Sequence, residues 1–384
     1  MNIDPSDFRT PGQYLQALLA ERQWSQSLLA VVLKTPDTTV SRLARDEKPI
    51  DAPTALVLGE VFGVQPEVFL NLQRNYDLAV ARITAIPDPT RADRATLLSE
   101  LPVVEMRNRG WLDFKDVREV TRVESELTRF FEVPSVGEIE VLPHAAKRTV
   151  VSGEVSAPQL AWIYRVRQIA RAMVVPKYST SALQRAVREM KDLLVSAEAV
   201  GRVPRLLAEA GVRFVVVESL SAAKIDGVCF WLDDRSPVIG MTLRYDRIDN
   251  FWFVLRHECE HVLRGDGRQS IALDAELERD RAGTGPGVEE EELAANRAAA
   301  DFCVPGKMLE AFIARKAPVF TRRDIIGFSR VVKVHPGLIA GQLQNATGRY
   351  ERFRDHLVPV RNIVLPHVVH DGWGDVASTT LTYN

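Results

Sequence analysis

The sequence lacks the features that mark secreted, membrane-bound and repetitive proteins. Its 384 residues include three cysteines, Cys229, Cys259 and Cys303, and this odd, widely spaced set excludes a disulfide framework. No apolar run approaches the roughly 18 residues that a membrane-spanning helix needs. The start, MNIDPSDFRT, has no basic region followed by an apolar one, as a signal peptide would. With no repeat of fixed period either, we expect a cytoplasmic protein without a membrane partner.

The chain also lacks an excess of charge of either sign. Lysine and arginine number 49 and the acidic residues 51, which gives a formal net charge of -2. Such a chain does not attract nucleic acid by bulk charge, so any DNA binding must come from a local surface. Apolar residues make up 46% and charged residues 26%, which is typical of globular proteins. The length predicts two or three domains.

Composition and proline positions divide the chain into four predicted stretches. Residues 1–80 form short helices, 81–154 a helical connector, 155–350 a mixed domain and 351–384 an extended C-terminal tail. In the mixed domain, apolar spacing predicts helices at 157–172 and 181–198 and strands at 212–217, 227–232 and 237–245. The predicted fold class is therefore α+β and multidomain, with an all-α domain at the start.

One predicted helix, from residue 250 to about residue 264, carries the pattern HECEH. Asp249 is its expected N-cap, and the glycine at 265 ends it. His257 and His261 lie one turn apart on one face, where both imidazoles can reach a single ion. Glu258 lies beside this pair and is placed to take a proton from water. Two imidazoles and one carboxylate leave a position on zinc open for water, whose pKa then falls to about 7.

The third ligand is expected on another helix, and Glu292 is the favoured candidate. It opens the alanine-rich segment ELAANRAAADF, in which Asn296 follows one turn later. Glu292 would bind the ion, and Asn296 would accept a hydrogen bond from a ligating histidine and fix its tautomer. Three further glutamates, at 289–291, are adjacent, so the choice depends on helical register.

Other candidates are more simply structural. Cys259 faces away from the histidine pair, His335 is a structural residue, and His367 with His370 has only weak metal-ligand spacing. Residues 274–280 and 282–288 form an excursion from the domain, and a lid is the alternative interpretation. The strand at 238–243 is either an edge that binds an extended peptide or an interior strand. Both readings remain open at this point.

HECEH, followed by EELAANRAAADFCVP and VVKVHPGLIAGQLQ, resembles the ImmA/IrrE metallopeptidases over residues 158–344. The resemblance implies a thermolysin-like zincin core with Zn2+ held by His257, His261 and Glu292, and Glu258 as general base. It also implies a protein substrate, typically a partner transcriptional repressor that controls stress or mobile-element genes. The family usually has a small residue before the second histidine, where this chain has Glu260, and the longer side chain affects packing or peptide access.

The first domain reads as a helix-turn-helix. A helix at 13–22 is followed by a second capped by Ser25 and a third at 38–44. The segment resembles the XRE class and, over residues 48–78, HigA-like antitoxins. This resemblance implies binding to double-stranded DNA, often as a homodimer, through residues at positions that usually meet the operator: Gln26, Thr38, Thr39, Ser41 and Arg42.

Three features of this domain count against DNA binding, and a protein-interaction module is the alternative interpretation. Residues 1–82 hold 8 basic and 10 acidic residues, a net charge of 8 − 10 = −2, whereas duplex DNA attracts positive charge. Leu28, Val31 and Val32 put apolar side chains on the second helix, and Asp37 would repel phosphate at the entry to the third.

Two principal functions follow from these patterns. The first is a zinc endopeptidase that the helix-turn-helix directs to DNA or to a DNA-bound repressor. The alternative is a HigA-like antitoxin or transcriptional regulator in which the zincin domain is a sensor or structural module. A metal-stabilised scaffold without turnover is less favoured, because a purely structural zinc has no use for Glu258.

Overall fold

The computed structural model describes residues 4–85, 88, 91–139, 155–268, 272–275 and 290–373. The chain folds as two compact units, Met1–Pro89 and Thr90–Asn384. The first unit takes in the first predicted stretch and the start of the predicted connector, and the second unit takes in the rest of the connector, the mixed domain and the tail. Within the described ranges, no helix combines the length and the apolar character that crossing a bilayer requires.

In its described residues, the first unit contains five α-helices around an apolar centre. Their bounds are α1 Pro11–Glu21, α2 Gln26–Val32, α3 Asp37–Ala44, α4 Ala52–Phe62 and α5 Pro66–Thr84. The side-chain oxygen of Ser25 accepts from the Leu28 N–H and starts α2, as the sequence predicts. The expected inward residues of α1 are buried, among them Tyr14, whose ring lies 5.3 Å from that of Phe69 in α5.

The second unit combines helices with one sheet. Its helices are α6 Arg91–Glu100, α7 Val103–Asn108, α8 Val120–Phe130, α9 Ala157–Ala172, α10 Thr180–Leu193, α11 Val203–Glu209, α12 Ile248–Arg264, α13 Glu290–Cys303, α14 Gly306–Lys316, α15 Arg322–Val332, α16 Pro336–Thr347 and α17 Arg361–Val364. Its strands are β1 Arg213–Val217, β2 Ile225–Trp231, β3 Pro237–Met241, β4 Ala272–Ala275 and β5 Val369–Asp371. The predicted mixed α/β character and the three predicted strands are present.

The five strands form a mixed sheet in the order β4-β2-β3-β1-β5. β1 is parallel to β3 and β5, whereas β2 is antiparallel to β3 and β4. β3 therefore lies inside the sheet, so the interior reading of this segment is correct and the edge reading is not. Alternate residues of β1 enter two different apolar clusters, Phe214 one and Val215 the other, because successive side chains point to opposite faces.

The predicted connector forms part of this core. The ring of Trp111, between α7 and α8, stacks on Phe130 at a centroid distance of 5.9 Å. Phe131 lies 5.1 Å from Tyr164 of α9, and this cluster covers the sheet face that holds Val215. The prolines of this segment mark turns between its short helices. The apolar side chains of those helices are buried in one cluster with residues of the sheet, so the segment packs as part of the core.

The predicted extended tail is also largely folded. β5 pairs in parallel with β1, with Val369 opposite Val215. The carboxylate of Asp371 is fully buried and accepts from the Trp111 indole N–H at 3.0 Å and from Arg165. These contacts hold residues up to 373 against the domain, while residues 374–384 lie outside the described ranges.

Candidate metal centre

The HECEH helix α12 is buried on several sides, which fixes its position. It packs against β2, β3, α13 and α16, and Trp252 and Leu255 enter the core. The helix ends at Gly265, whose positive φ of 83° turns the chain so that the Asp266 N–H donates to the His261 carbonyl at 2.9 Å. It begins at Ile248, so Asp249 is not the N-cap that the sequence predicts. Asp249 lies in the first turn and pairs with the Arg247 guanidinium at 2.5 Å.

The structure brings His257, His261 and Glu292 together as a group that can hold a metal ion. The two Nε2 atoms lie 3.0 Å apart, and each is 3.4 Å from a carboxylate oxygen of Glu292. A tetrahedral zinc with ligands about 2.0–2.1 Å away requires ligand atoms about 3.3 Å from one another. The three separations fit that geometry. Both imidazoles are fully buried, whereas the Glu292 side chain is 28% exposed and opens the group to one side.

Glu292 reaches this position because α13 runs antiparallel to α12. Its first turn meets the histidines, while Phe302, near its other end, lies 6.2 Å from Trp252 in ring-centroid distance. The neighbouring Glu291 is exposed to solvent. Helical register thus separates one ligand from its acidic neighbours, although Glu289 lies outside the described residues.

A carboxylate that sequence reasoning missed holds one of the histidines. Asp266 Oδ2 lies 3.0 Å from His261 Nδ1, so the ring directs Nε2 towards Glu292. The loop after α12 is attached to β2, because the Trp231 indole donates to the Asp266 carbonyl at 2.8 Å. A Cβ at Gly267 would approach the Cys229 carbonyl to 2.7 Å. The only sequence signal was a glycine-flanked aspartate directly after the helix.

Asn296 does not make the contact that the sequence predicts. Its carboxamide oxygen and nitrogen are both buried without a hydrogen-bond partner among the described residues. The expected role, fixing a ligating histidine, falls to Asp266 for His261. Asn296 remains on the face of α13 that carries Glu292, one turn further along.

Glu258 is fully buried where α12 crosses β2. Its carboxyl group lies against the backbone of Gly227, and a Cβ at that glycine would overlap Oε1. The Val254 side chain, one turn earlier on α12, would approach the same Cβ to 3.0 Å. The absence of a side chain at Gly227 therefore makes the space that the Glu258 carboxyl group occupies.

Nearby thiols do not compete for the ion. Burial raises the pKa of Cys259 and of Cys303 to about 12, so both stay protonated, whereas a metal binds the thiolate. Glu260, which precedes His261, pairs with Arg256 at 2.7 Å on the less buried side of the helix. This salt bridge directs its charge along the helix surface.

The remaining histidines lie apart from the metal group, as far as the described residues show. His335 is the N-cap of α16, and its Nδ1 accepts from the Gly337 N–H at 3.0 Å. Burial lowers the pKa of His335. His370 Nδ1 lies 3.2 Å from the Val368 carbonyl. The interpretation of His335 as a structural residue agrees with its capping contact.

The candidate DNA-contacting residues lie on α2 and α3 of the first unit. Thr38 and Arg42 are exposed, and the other three, Gln26, Thr39 and Ser41, are partly exposed. The apolar residues of α2 are exposed as well, with Val31 at 73%. The first unit thus presents both polar and apolar side chains on α2 and α3.

Comparisons with protein-family models, with curated proteins and with solved structures found no match to this chain.

Proposed function

We propose that the chain is a zinc-dependent endopeptidase with a thermolysin-like core of the ImmA/IrrE type, acting on a protein partner in the cytoplasm. The observation that carries the proposal is the buried pair His257 and His261 with Glu292, at separations that suit tetrahedral zinc. Glu258, next to the first of these histidines, is the catalytic carboxylate. A structural zinc site normally has four protein ligands, and this group supplies three among the described residues.

The chemistry is hydrolysis of a peptide bond. Zinc held by the three ligands would polarise the scissile carbonyl and make an attacking water more acidic. Glu258 accepts a proton from that water as its oxygen bonds to the carbonyl carbon, and passes the proton to the amide nitrogen as the C–N bond breaks. Asp266 holds the His261 ring in position, and Gly227 leaves space for the Glu258 carboxyl group.

Strand β4 supplies a place for an extended substrate. Among the described strands it lies at one edge of the sheet, and it pairs with β2, the strand that contacts Glu258. The backbone groups on the outer side of an edge strand can pair with a peptide in β conformation. This arrangement favours a polypeptide substrate, and we propose a transcriptional repressor or a related toxin–antitoxin or stress-response regulator.

The helix-turn-helix of the first unit would direct the peptidase to its substrate. Exposed Thr38 and Arg42 favour contact with double-stranded DNA, whereas exposed Leu28 and Val31 on α2 favour contact with a protein. The alternative function, a HigA-like regulator that binds DNA as a homodimer, depends on the polar residues alone.

The decisive experiment compares wild type with Glu258→Gln, both loaded with zinc and incubated with repressor and toxin candidates encoded beside the gene. We expect cleavage by the wild type alone and equal zinc content in both, because glutamine keeps the volume but cannot take the proton. Glu260→Gln is the matched control and should still cleave, since Glu260 pairs with Arg256 away from the ligands. Cleavage by neither protein, together with a shift of operator DNA that Arg42→Ala abolishes, would favour the regulator.

A further inference from the structure

A pocket lies further along the helix faces that carry the metal ligands. It has a volume of about 60 Å³, and its walls include Asn250 and Phe253 of α12, Cys303 of α13 and Leu338 of α16. The Phe253 ring lies 6.4 Å from the His257 ring, so this side chain separates the pocket from the metal group. The exposed Asn345 marks the side that is open to solvent.

The distance from the metal group suits a peptide that extends along α12. Asn250 precedes His257 by two helical turns, which is about 10 Å at 1.5 Å per residue. An extended peptide advances about 3.3 Å per residue. The pocket would therefore receive a side chain about two or three residues from the bond that lies at the metal.

Asn250 gives the pocket a hydrogen-bonding requirement. The residue is 6% exposed, and its Oδ1 atom is buried without a hydrogen-bond partner among the described residues. A buried carbonyl oxygen left unpaired is costly, so an occupant of the pocket is favoured if it brings a donor. Gln342 also lines the pocket and offers a carboxamide to an oxygen of the occupant.

The charges in the wall select against an ionised occupant. Arg247 and Asp249 both line the pocket, but they neutralise each other through two contacts, Nε to Oδ1 at 3.1 Å and Nη2 to Oδ2 at 2.5 Å. An incoming charge would be partly desolvated without a free counter-charge. The apolar walls of Phe253 and Leu338 instead suit methylene groups.

We propose that this pocket is a specificity subsite that binds a glutamine side chain of the substrate. A single water needs about 10–15 Å³ of such volume, so a pocket of about 60 Å³ has room for a group larger than one water. The glutamine N–H₂ donates to Asn250 Oδ1, and its oxygen accepts from Gln342. The identification of the occupant as a substrate side chain rests on the proposed peptidase function. Binding of a glutamine side chain at the pocket does not require turnover.

The direct test measures binding to zinc-loaded Glu258→Gln by ligand-observed NMR. The probes are the N-acetyl methylamides of glutamine, glutamate and norleucine, which match in size. We expect glutamine to bind about tenfold more tightly than the other two, and Asn250→Leu to remove that preference with zinc content unchanged. Asn250→Asp keeps an acceptor and adds a negative charge, so it should shift the preference towards a cationic fourth probe, the N-acetyl methylamide of lysine. Asn345→Leu, at the solvent side, is the control that should retain it.

Equal binding of the three probes, or a glutamine preference that survives Asn250→Leu, would overturn the assignment and leave a pocket that holds only water. If Asn250→Leu does not fold, the Asn250→Asp shift decides the same question. A digest of a mixed peptide library by the wild type separates the two proposals. Cleavage without a glutamine preference, and without probe binding, removes the subsite and not the peptidase. Probe binding without any cleavage of the library removes the peptidase and not the pocket.

Discussion

Replacing Asp266 by alanine should weaken zinc binding about 10- to 100-fold, because its carboxylate orients one of the two imidazole ligands. The Asp266 Oδ2 to His261 Nδ1 distance is 3.0 Å, and the aspartate side chain is largely shielded from solvent. The expected loss corresponds to about 1.4 to 2.8 kcal/mol, within the range of a hydrogen bond to a charged group, about 1.5 to 3 kcal/mol. Competition with a chromophoric zinc chelator measures the dissociation constant.

The structure predicts that this substitution leaves the loop in place. The Asp266 carbonyl accepts from the Trp231 indole, and this contact does not involve the aspartate side chain. Arg264→Ala is the matched control: its guanidinium lies 3.4 Å from the same carboxylate but is 37% exposed, so it contributes little. If Asp266→Ala binds zinc as tightly as the control while both are folded by circular dichroism, packing rather than the carboxylate orients His261.

Three other substitutions test separate parts of the site and fold. Glu292→Ala should lose more zinc affinity than the 10- to 100-fold loss expected for a residue that only orients a ligand. The control Glu291→Ala should bind zinc as the wild type does, because Glu291 is exposed to solvent. Equal zinc content of the two variants by metal analysis would show that the helical register assigned to Glu292 is wrong. Gly227→Ala should lower kcat about 100-fold with zinc retained, because its Cβ displaces the Glu258 carboxyl group, and an unchanged kcat would refute that role. Burial lowers the pKa of His335 from 6.5, so the unfolded state takes up the proton first and the free energy of unfolding falls as pH drops below about 6.5. His335→Asn should cap the helix without that pH dependence in urea unfolding, and identical pH profiles would contradict this assignment.

The parts of the structure that the sequence predicted are those governed by local rules. Apolar periodicity located α9 and α10, β-branched runs located β1, and Ser25 marked the start of α2. The two histidines on one helix face and the i+4 relation between Glu292 and Asn296 follow from 3.6 residues per turn. Such signals need only the residues within one element.

The parts that the sequence did not predict depend on contacts between distant segments. Trp111 donates to Asp371, 260 positions later, and no local pattern indicates that pair. β5 has three residues and is a strand because β1 lies beside it. The sequence around Asp266 indicates only a turn, and the role of this residue follows from its contacts with Trp231 and His261 in the folded chain. The sequence predicted Asp249 as the N-cap of α12, but the N-cap is Arg247. Asp249 lies in the first turn of the helix, where its carboxylate pairs with the Arg247 guanidinium.

The arrangement of acceptor atoms explains why Asp266, a carboxylate outside the His257, His261 and Glu292 group, matters to the candidate metal centre. If Asp266 accepts the Nδ1 proton of His261, the Nε2 atom of that ring carries a lone pair. That lone pair faces His257 Nε2 at 3.0 Å and Glu292 at 3.4 Å, in a buried setting where repulsion is weakly screened. The opposite tautomer would place a proton between the two rings and convert them into a hydrogen-bonded histidine pair. By favouring the first tautomer, Asp266 selects the electron-rich arrangement, which a divalent cation stabilises at all three ligand atoms together.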